Sequence, residues 1–141
     1  MSLEAAFFGY VSTHERLASL VGTRVYEEIA PQDAPVPHLV YQIIGGNRPA
    51  YSLEGANGQV ENRLEVRCYA ANGVLRRALA DTFRQAIDGF RGSWSGTEIQ
   101  SVFIDDEGSA FEASPSNEAS RVWGWRFDLL ITHVETVPTF T

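Results

Sequence analysis

Lysine is absent from this sequence of 141 residues, so all eleven basic side chains are arginines. Eighteen acidic residues outnumber them and give a formal net charge of −7. A protein whose main affinity is for the nucleic-acid backbone needs clustered cations that release counterions from the phosphates. The charge balance therefore argues against that class of protein.

Cysteine is nearly absent as well. The single Cys68 excludes an internal disulfide and a cysteine-rich zinc site, and its place on the apolar face of a predicted strand indicates a buried core residue. No apolar run approaches the length of a membrane span, and no basic leader precedes an apolar stretch. We therefore expect no membrane partner and a chain that is intracellular when made.

The clearest pattern lies in residues 59–89. From Val60 to Cys68 apolar and charged residues alternate, which is typical of a strand with one buried face. Asn72 is suited to cap a following helix, and Gly89 is suited to end it. The predicted core face of that helix consists of Val74, Leu75, Ala78, Leu79, Phe83, Ala86 and Ile87.

The remaining elements are predicted from the same two periodicities. A first helix covers residues 1–22, with its pattern interrupted at Gly9 and His14, and further strands cover 24–28, 38–44, 97–104 and 123–132. Predicted connections are 31–37, 45–58, 91–96 and 105–120, followed by a loosely held tail at 134–141. Within the last strand, Gly124 is predicted to admit a second backbone closely.

Together these elements predict one α+β domain over residues 1–141, with a mostly antiparallel sheet and two α-helices packed on one face. Short connections favour antiparallel pairing, and the longer connection through the second helix leaves parallel pairing open there.

No catalytic or metal-binding pattern is present. His14, His38 and His133 lie in different elements without metal-ligand spacing, and the acidic run 105–107 lacks the alternating oxygen ligands of a calcium loop. No serine lies in a nucleophile motif. The sequence therefore predicts a protein that is not an enzyme, with no cofactor and no metal.

Candidate interface residues come from one strand face and three loops. The charged face of the central strand fits cross-strand ion pairs on a surface that is solvated or faces another subunit. Arginine and aromatic residues on loops are typical interface anchors, although the aromatics could equally pack back onto their own domain. The candidates are Arg48, Tyr51, Glu61, Arg63, Glu65, Arg67, Trp94 and Phe111.

The order of several short segments resembles the tail-completion, or tail-terminator, family of long-tailed bacteriophages and prophages, which join heads to tails. The resemblance covers roughly residues 2–133. Its segments are Ala18–Tyr26, Pro31–Pro37, Leu39–Gln42, Val66–Ala70, Arg77–Phe90 and Arg121–Asp128.

This resemblance implies a structural assembly protein without an active site. It implies a homo-oligomeric ring, usually a hexamer, that caps the tail tube and docks onto the head connector. The implied partners are further copies of the chain, the tail-tube protein and the head-completion connector protein. The implied location is the head–tail junction of the virion, after synthesis in the cytoplasm of the bacterial host. DNA passes through such a ring, and a subunit charge of −7 predicts that the ring does not grip it.

A second hypothesis comes from a different class of protein. A small-molecule-binding or enzymatic domain could use a pocket near Tyr51, Trp94 and Glu98. A deep apolar pocket with convergent polar groups would favour this hypothesis, whereas a flat surface with exposed loops would favour the ring.

Overall fold

The computed structural model describes residues 2–31, 34–47, 51–52, 55–56, 59–110 and 122–135. The helices are α1 (Leu3–Thr13), α2 (Glu15–Val21) and α3 (Gly73–Ile87). The strands are β1 (Val25–Glu27), β2 (His38–Asn47), β3 (Tyr51–Ser52), β4 (Gly55–Ala56), β5 (Gln59–Ala70), β6 (Gly92–Trp94), β7 (Thr97–Ser109) and β8 (Trp123–Val134).

Six of these strands form one curled mixed sheet, a half-barrel, in the order β1-β2-β5-β8-β7-β6. Every neighbouring pair is antiparallel except β1 and β2, which run parallel with Val25 beside Leu39. The predicted, mostly antiparallel sheet is confirmed. The proline-rich loop joins the parallel strands β1 and β2. The connection through α3 leads from β5 to β6 and β7, and neither of these strands pairs with β5, because β8 lies between β5 and β7.

The prediction of two helices is wrong, because the first one is divided at His14. His14 has an extended backbone, with φ −69° and ψ 121°, and its side chain accepts a hydrogen bond from the Leu17 amide at 3.4 Å. This local cap starts a new helix that ends at Gly22, where φ is +58°. The prediction treated the interruption at His14 as a local disturbance within one helix, because apolar residues recur at helical spacing on both sides of it.

The ends of the other elements follow local signals. Ser2 accepts a hydrogen bond from the Ala5 amide at 3.2 Å, and Asn72 accepts one from the Leu75 amide at 2.9 Å. Both are N-terminal caps that satisfy donors left free by the first helical turn.

The core lies between the helices and the inner face of the sheet, which we define as the face that carries Leu64, Val66 and Cys68. Phe7 of α1 sits at its centre, with aromatic centroid distances of 5.0 Å to Tyr41 and 5.9 Å to Trp94. The residues that the inner face of the four central strands contributes to the core cluster are Leu39, Tyr41, Leu64, Val66, Cys68, Ile99, Val102, Phe127, Leu129 and Ile131.

Three predicted connections contain strand structure. β2 continues to Asn47, and a short hairpin of β3 and β4 follows within the 45–58 connection. β6 lies within the predicted 91–96 loop, and β7 continues from the predicted strand to Ser109. Val134, the first residue of the predicted tail, still pairs with Gln59, and residues 136–141 of that tail lie outside the described residues.

The predicted core face of the second helix is partly wrong. Leu79, Phe83, Ala86 and Ile87 are buried, but Val74 is 73% exposed and Leu75 is 49% exposed. Ala78 is also exposed. The first turns of α3 therefore carry an apolar surface that the described residues do not cover.

Candidate assembly surfaces

The outer face of the sheet, which we define as the face opposite the helices, is formed by alternate residues of the same strands. On β5 it carries Glu61, Arg63, Glu65 and Arg67, all partly buried, while Val60, Leu64, Val66 and Cys68 point inward. The alternation predicted from the sequence is confirmed on both faces.

The charges of the outer face are linked across strands. Arg63 reaches across β8 to Asp105 on β7, with 2.6 Å between Nη1 and Oδ2. This hydrogen bond with Asp105 raises the pKa of Arg63. Arg67 pairs along its own strand with Glu65, with 3.4 Å between Nε and Oε1. A network of both signs is a polar surface that a complementary charged partner could match.

The neighbouring strands continue this network. Arg126 on β8 pairs with Asp128 at 2.9 Å and with Asp106 at 3.1 Å, and hydrogen bonds to these carboxylates raise its pKa. Phe103, 58% exposed, lies at the register position beside Leu130 and adds an apolar element. The outer face is thus a mixed charged and apolar surface across β5, β8 and β7.

The loop candidates divide into three groups. Arg48 and Phe111 lie outside the described residues, and Tyr51 is described only by its backbone, which forms β3. Trp94 is 1% exposed and packs against Tyr10, with a centroid distance of 5.2 Å. For Trp94 the alternative of packing into its own domain is correct, because the aromatic side chains of α1 enclose it.

The predicted pocket near Trp94 and Glu98 does not bring these two residues together. The cleft beside Glu98 is lined by Arg91, Gly92, Glu98, Ile99 and Gln100, and Trp94 is not part of its wall. Glu98 itself is exposed on β7, while Trp94 belongs to the core. The described lining does not contain the apolar wall that the small-molecule hypothesis requires.

The three histidines are held at separate places. His14 caps α2, the Nδ1 of His38 lies 3.1 Å from the carbonyl oxygen of Pro35, and the Nε2 of His133 lies 2.7 Å from the Oδ1 of Asn62. Within the described ranges, no three His, Cys, Asp or Glu side chains form a group that could hold a metal ion. Cys68 is fully buried, and this burial raises the pKa of its thiol.

Arginine and aromatic residues also meet where α3 lies over β8. The guanidinium carbon of Arg76 lies 5.4 Å from the aromatic centroid of Trp123 and 5.5 Å from that of Trp125. Arg76 is not part of the core face that the sequence predicts for its helix. The alternation that places Trp123 and Trp125 on one face of β8 was the available signal. The position of α3 relative to β8 could not be predicted from the sequence.

A second arginine of α3 is tied to the sheet by a carboxylate. Arg84 pairs with Glu107 at 2.5 Å, and Glu107 also accepts a hydrogen bond from the Trp125 indole at 3.0 Å. The hydrogen bond from Arg84 is the main cause that lowers the pKa of Glu107. Glu107 lies in the part of β7 that the sequence predicted to be a loop. The contact between Glu107 and α3 was therefore not predicted.

No helix within the described residues is both long and apolar enough to cross a membrane.

Comparison with known proteins gives one family and one fold. The sequence profile of the family described as tail completion protein gp17 matches residues 5–127. Among solved structures, the chain is similar to one described as the virion of a native gene transfer agent particle, with 18% identity and a TM-score of 0.61. That likeness covers 94% of this chain and 93% of the other. No curated protein matches the sequence.

Proposed function

Because this chain belongs to the family of tail completion proteins and is a component of the virion tail, we propose that it forms a ring that terminates the tail tube and joins it to the head connector. The ring is homo-oligomeric, and we propose a hexamer. Its partners are further copies of the chain, the tail-tube protein and the head-completion connector protein. The observation that carries this proposal is the outer face of the sheet, a mixed charged and apolar surface that no described helix covers.

A closed ring needs a heterologous interface, in which two different surfaces of each subunit meet. We propose the outer-face residues Glu61, Arg63, Glu65 and Arg67 for one side. The 45–58 connection, with its β3–β4 hairpin, is our proposal for the other side. Partly buried charges of both signs set the register of an interface, because juxtaposed like charges oppose the wrong alignment.

DNA passes through this ring without specific binding. The support is the net charge of −7 on each subunit, which repels phosphate when it is repeated around a lumen. The arginines of the outer face do not alter this balance, because Arg63 and Arg67 each have a carboxylate partner. A lumen lined by Arg63, Arg67 and Arg84 would be incompatible with this part of the proposal.

The function is tested with particles whose gene for this chain has been deleted. Purified chain is added to a mixture of heads and tails from these particles, and joined particles are counted by electron microscopy. The expected result is that joining requires the chain and that rings are visible at the tail end. Joining at the same frequency without the chain would disprove the proposal.

A further inference from the structure

One exposed segment combines an apolar side chain with two carboxylates. Ile29, directly after edge strand β1, is 81% exposed, and Glu27 and Glu28 precede it. Neither carboxylate has a cationic partner among the described residues. We call residues 27–29 the acidic knob.

The backbone of the acidic knob is fixed. The Glu28 amide donates to the Tyr41 carbonyl at 2.7 Å, and the Ile29 amide donates to the Glu27 carbonyl at 2.7 Å. Glu28 has a φ of +64°, a conformation uncommon for residues other than glycine. Such conformations cluster at functional positions, where the surrounding structure holds them. Ile29 is therefore presented to solvent in a defined position.

A second exposed surface has the opposite charge. Val74, Leu75 and Trp123 are 73%, 49% and 38% exposed, and Arg76 and Arg77 lie beside them. Neither arginine pairs with a carboxylate within the described part of the chain. We call these five residues the basic patch.

The cationic group of the basic patch is held in place rather than freely solvated. Arg76 lies over the aromatic faces of Trp123 and Trp125, and its Nη1 approaches the Gly124 carbonyl at 3.5 Å. A cleft of about 330 Å³ next to it is lined by Arg76, Arg77, Ala80, Asp81, Arg84 and Trp125. Arginine and tryptophan around an apolar centre are the residue types that carry most binding energy in protein interfaces.

The two surfaces lie on opposite sides of the sheet. The acidic knob borders a cleft whose wall includes Val40, Arg67 and Tyr69, which places Ile29 at the outer face. The basic patch belongs to α3 and the inner face of β8. A knob and a patch that are complementary in charge, both apolar at the centre, and on different sides of one chain fit a heterologous contact.

We propose that the acidic knob of one copy docks on the basic patch of the next copy, with Ile29 against Val74 and Trp123. Glu28 then faces Arg76 and Arg77, whereas Glu27 lies beside Tyr41 on the inner-face side of β1. This inference rests on the proposed ring and specifies one contact within it. Repetition of such a contact closes into a ring when the rotation between neighbours allows it.

The first test uses two single variants and their mixture. Ile29→Arg disables the knob and Val74→Arg disables the patch, and both positions are so exposed that folding is retained. Each variant alone should lose association by about tenfold or more and sediment as a monomer under conditions where the natural chain assembles. An equimolar mixture retains one intact knob and one intact patch, so it should form a dimer and nothing larger. Ser19→Arg, exposed on α2 outside both surfaces, is the matched control and should assemble normally.

Two results of this test would overturn the contact. One is that either variant alone assembles like the natural chain. The other is that the mixture stays monomeric, which would mean that the two surfaces bind other partners, such as another tail protein, and not each other.

Disulfide cross-linking tests the proposed contact directly. A mixture of Ile29→Cys and Val74→Cys chains under mild oxidation should yield a disulfide-linked dimer, because the only natural cysteine, Cys68, is fully buried. A mixture of Ile29→Cys and Glu98→Cys should not. If the natural chain forms rings and joins heads to tails while no disulfide forms, this contact is wrong and the proposed function stands. If the natural chain neither assembles nor joins particles, both are wrong.

Discussion

The two faces of the sheet are built from alternate residues of the same strands, yet they differ in almost every property. On β8, Phe127 and Leu129 point inward and are fully buried, while Arg126 and Asp128 point outward and pair with each other. The inner face holds the fold together because it removes apolar surface from water. The outer face of β5, β8 and β7 carries partly exposed ion pairs and is available for assembly, whereas the outer-face residues Val40 and Tyr69, near β1, are buried and add to the fold. Substitutions on the two faces should therefore separate stability from association.

The largest effect is expected from truncation at the centre of the inner face. Phe127 packs against Phe83 with a centroid distance of 4.9 Å and lies beneath the Arg84 guanidinium. Phe127→Ala should lower the free energy of unfolding by about 3–5 kcal/mol, since it removes buried surface and leaves a cavity. Phe103→Ala on the outer face is the matched control and should change it by about 0.5 kcal/mol or less. Equal losses in urea denaturation would contradict the difference between the faces.

A smaller loss is expected where two backbones approach. A Cβ on Gly124 would overlap the carbonyl oxygen of Ala110 and lie 2.7 Å from Cε1 of Tyr69. Gly124→Ala should therefore destabilise the chain by about 1–3 kcal/mol through overpacking. Gly45→Ala has open space around the added carbon, and its unfolding midpoint in the same denaturant should stay close to that of the natural chain. A tolerated Gly124→Ala would mean that β8 can move away from residue 110.

The contact between α3 and β7 gives a dependence on pH. The pKa of Glu107 is lowered in the folded state, mainly by Arg84. Its contribution to the free energy of unfolding is therefore fully present above the ordinary pKa of Glu. That contribution is lost as the pH falls through the lowered value. Glu107→Gln should cost about 1 kcal/mol or less at neutral pH, and its difference from the natural chain should vanish on acidification.

Thermal unfolding across a pH series measures this effect. Glu98→Gln serves as the control, because Glu98 has no ion pair within the described ranges. A difference between Glu107→Gln and the natural chain that persists at low pH would show that the lost contact is not electrostatic.

Those parts of the fold that depend on local pattern were predictable from the sequence. The alternation of β5 and β8, the caps at Ser2 and Asn72, and the end of α2 at Gly22 all follow from residues close in the chain. The close approach at Gly124 was predicted too, because glycine in a patterned strand often marks it. In each case the interacting groups are few and near one another.

Features that depend on distant packing were not predictable. Val74 and Leu75 have the spacing of core residues, but the buried residues of α3 begin only at Leu79. Trp94 lies in a segment rich in turn residues, and only the position of α1 shows that it is buried. No sequence pattern indicated the acidic knob, because the exposure of Ile29 depends on the path of the chain after β1.

The central claim is that the outer face serves assembly while the inner face serves folding. Charge reversal by Arg63→Glu and Arg67→Glu tests it most directly, because both side chains are part of the outer-face network. Sedimentation equilibrium is measured under conditions in which the natural chain assembles, with thermal unfolding in parallel. We predict that the double variant remains folded and sediments as a monomer. A double variant that forms the same oligomer as the natural chain would contradict the claim.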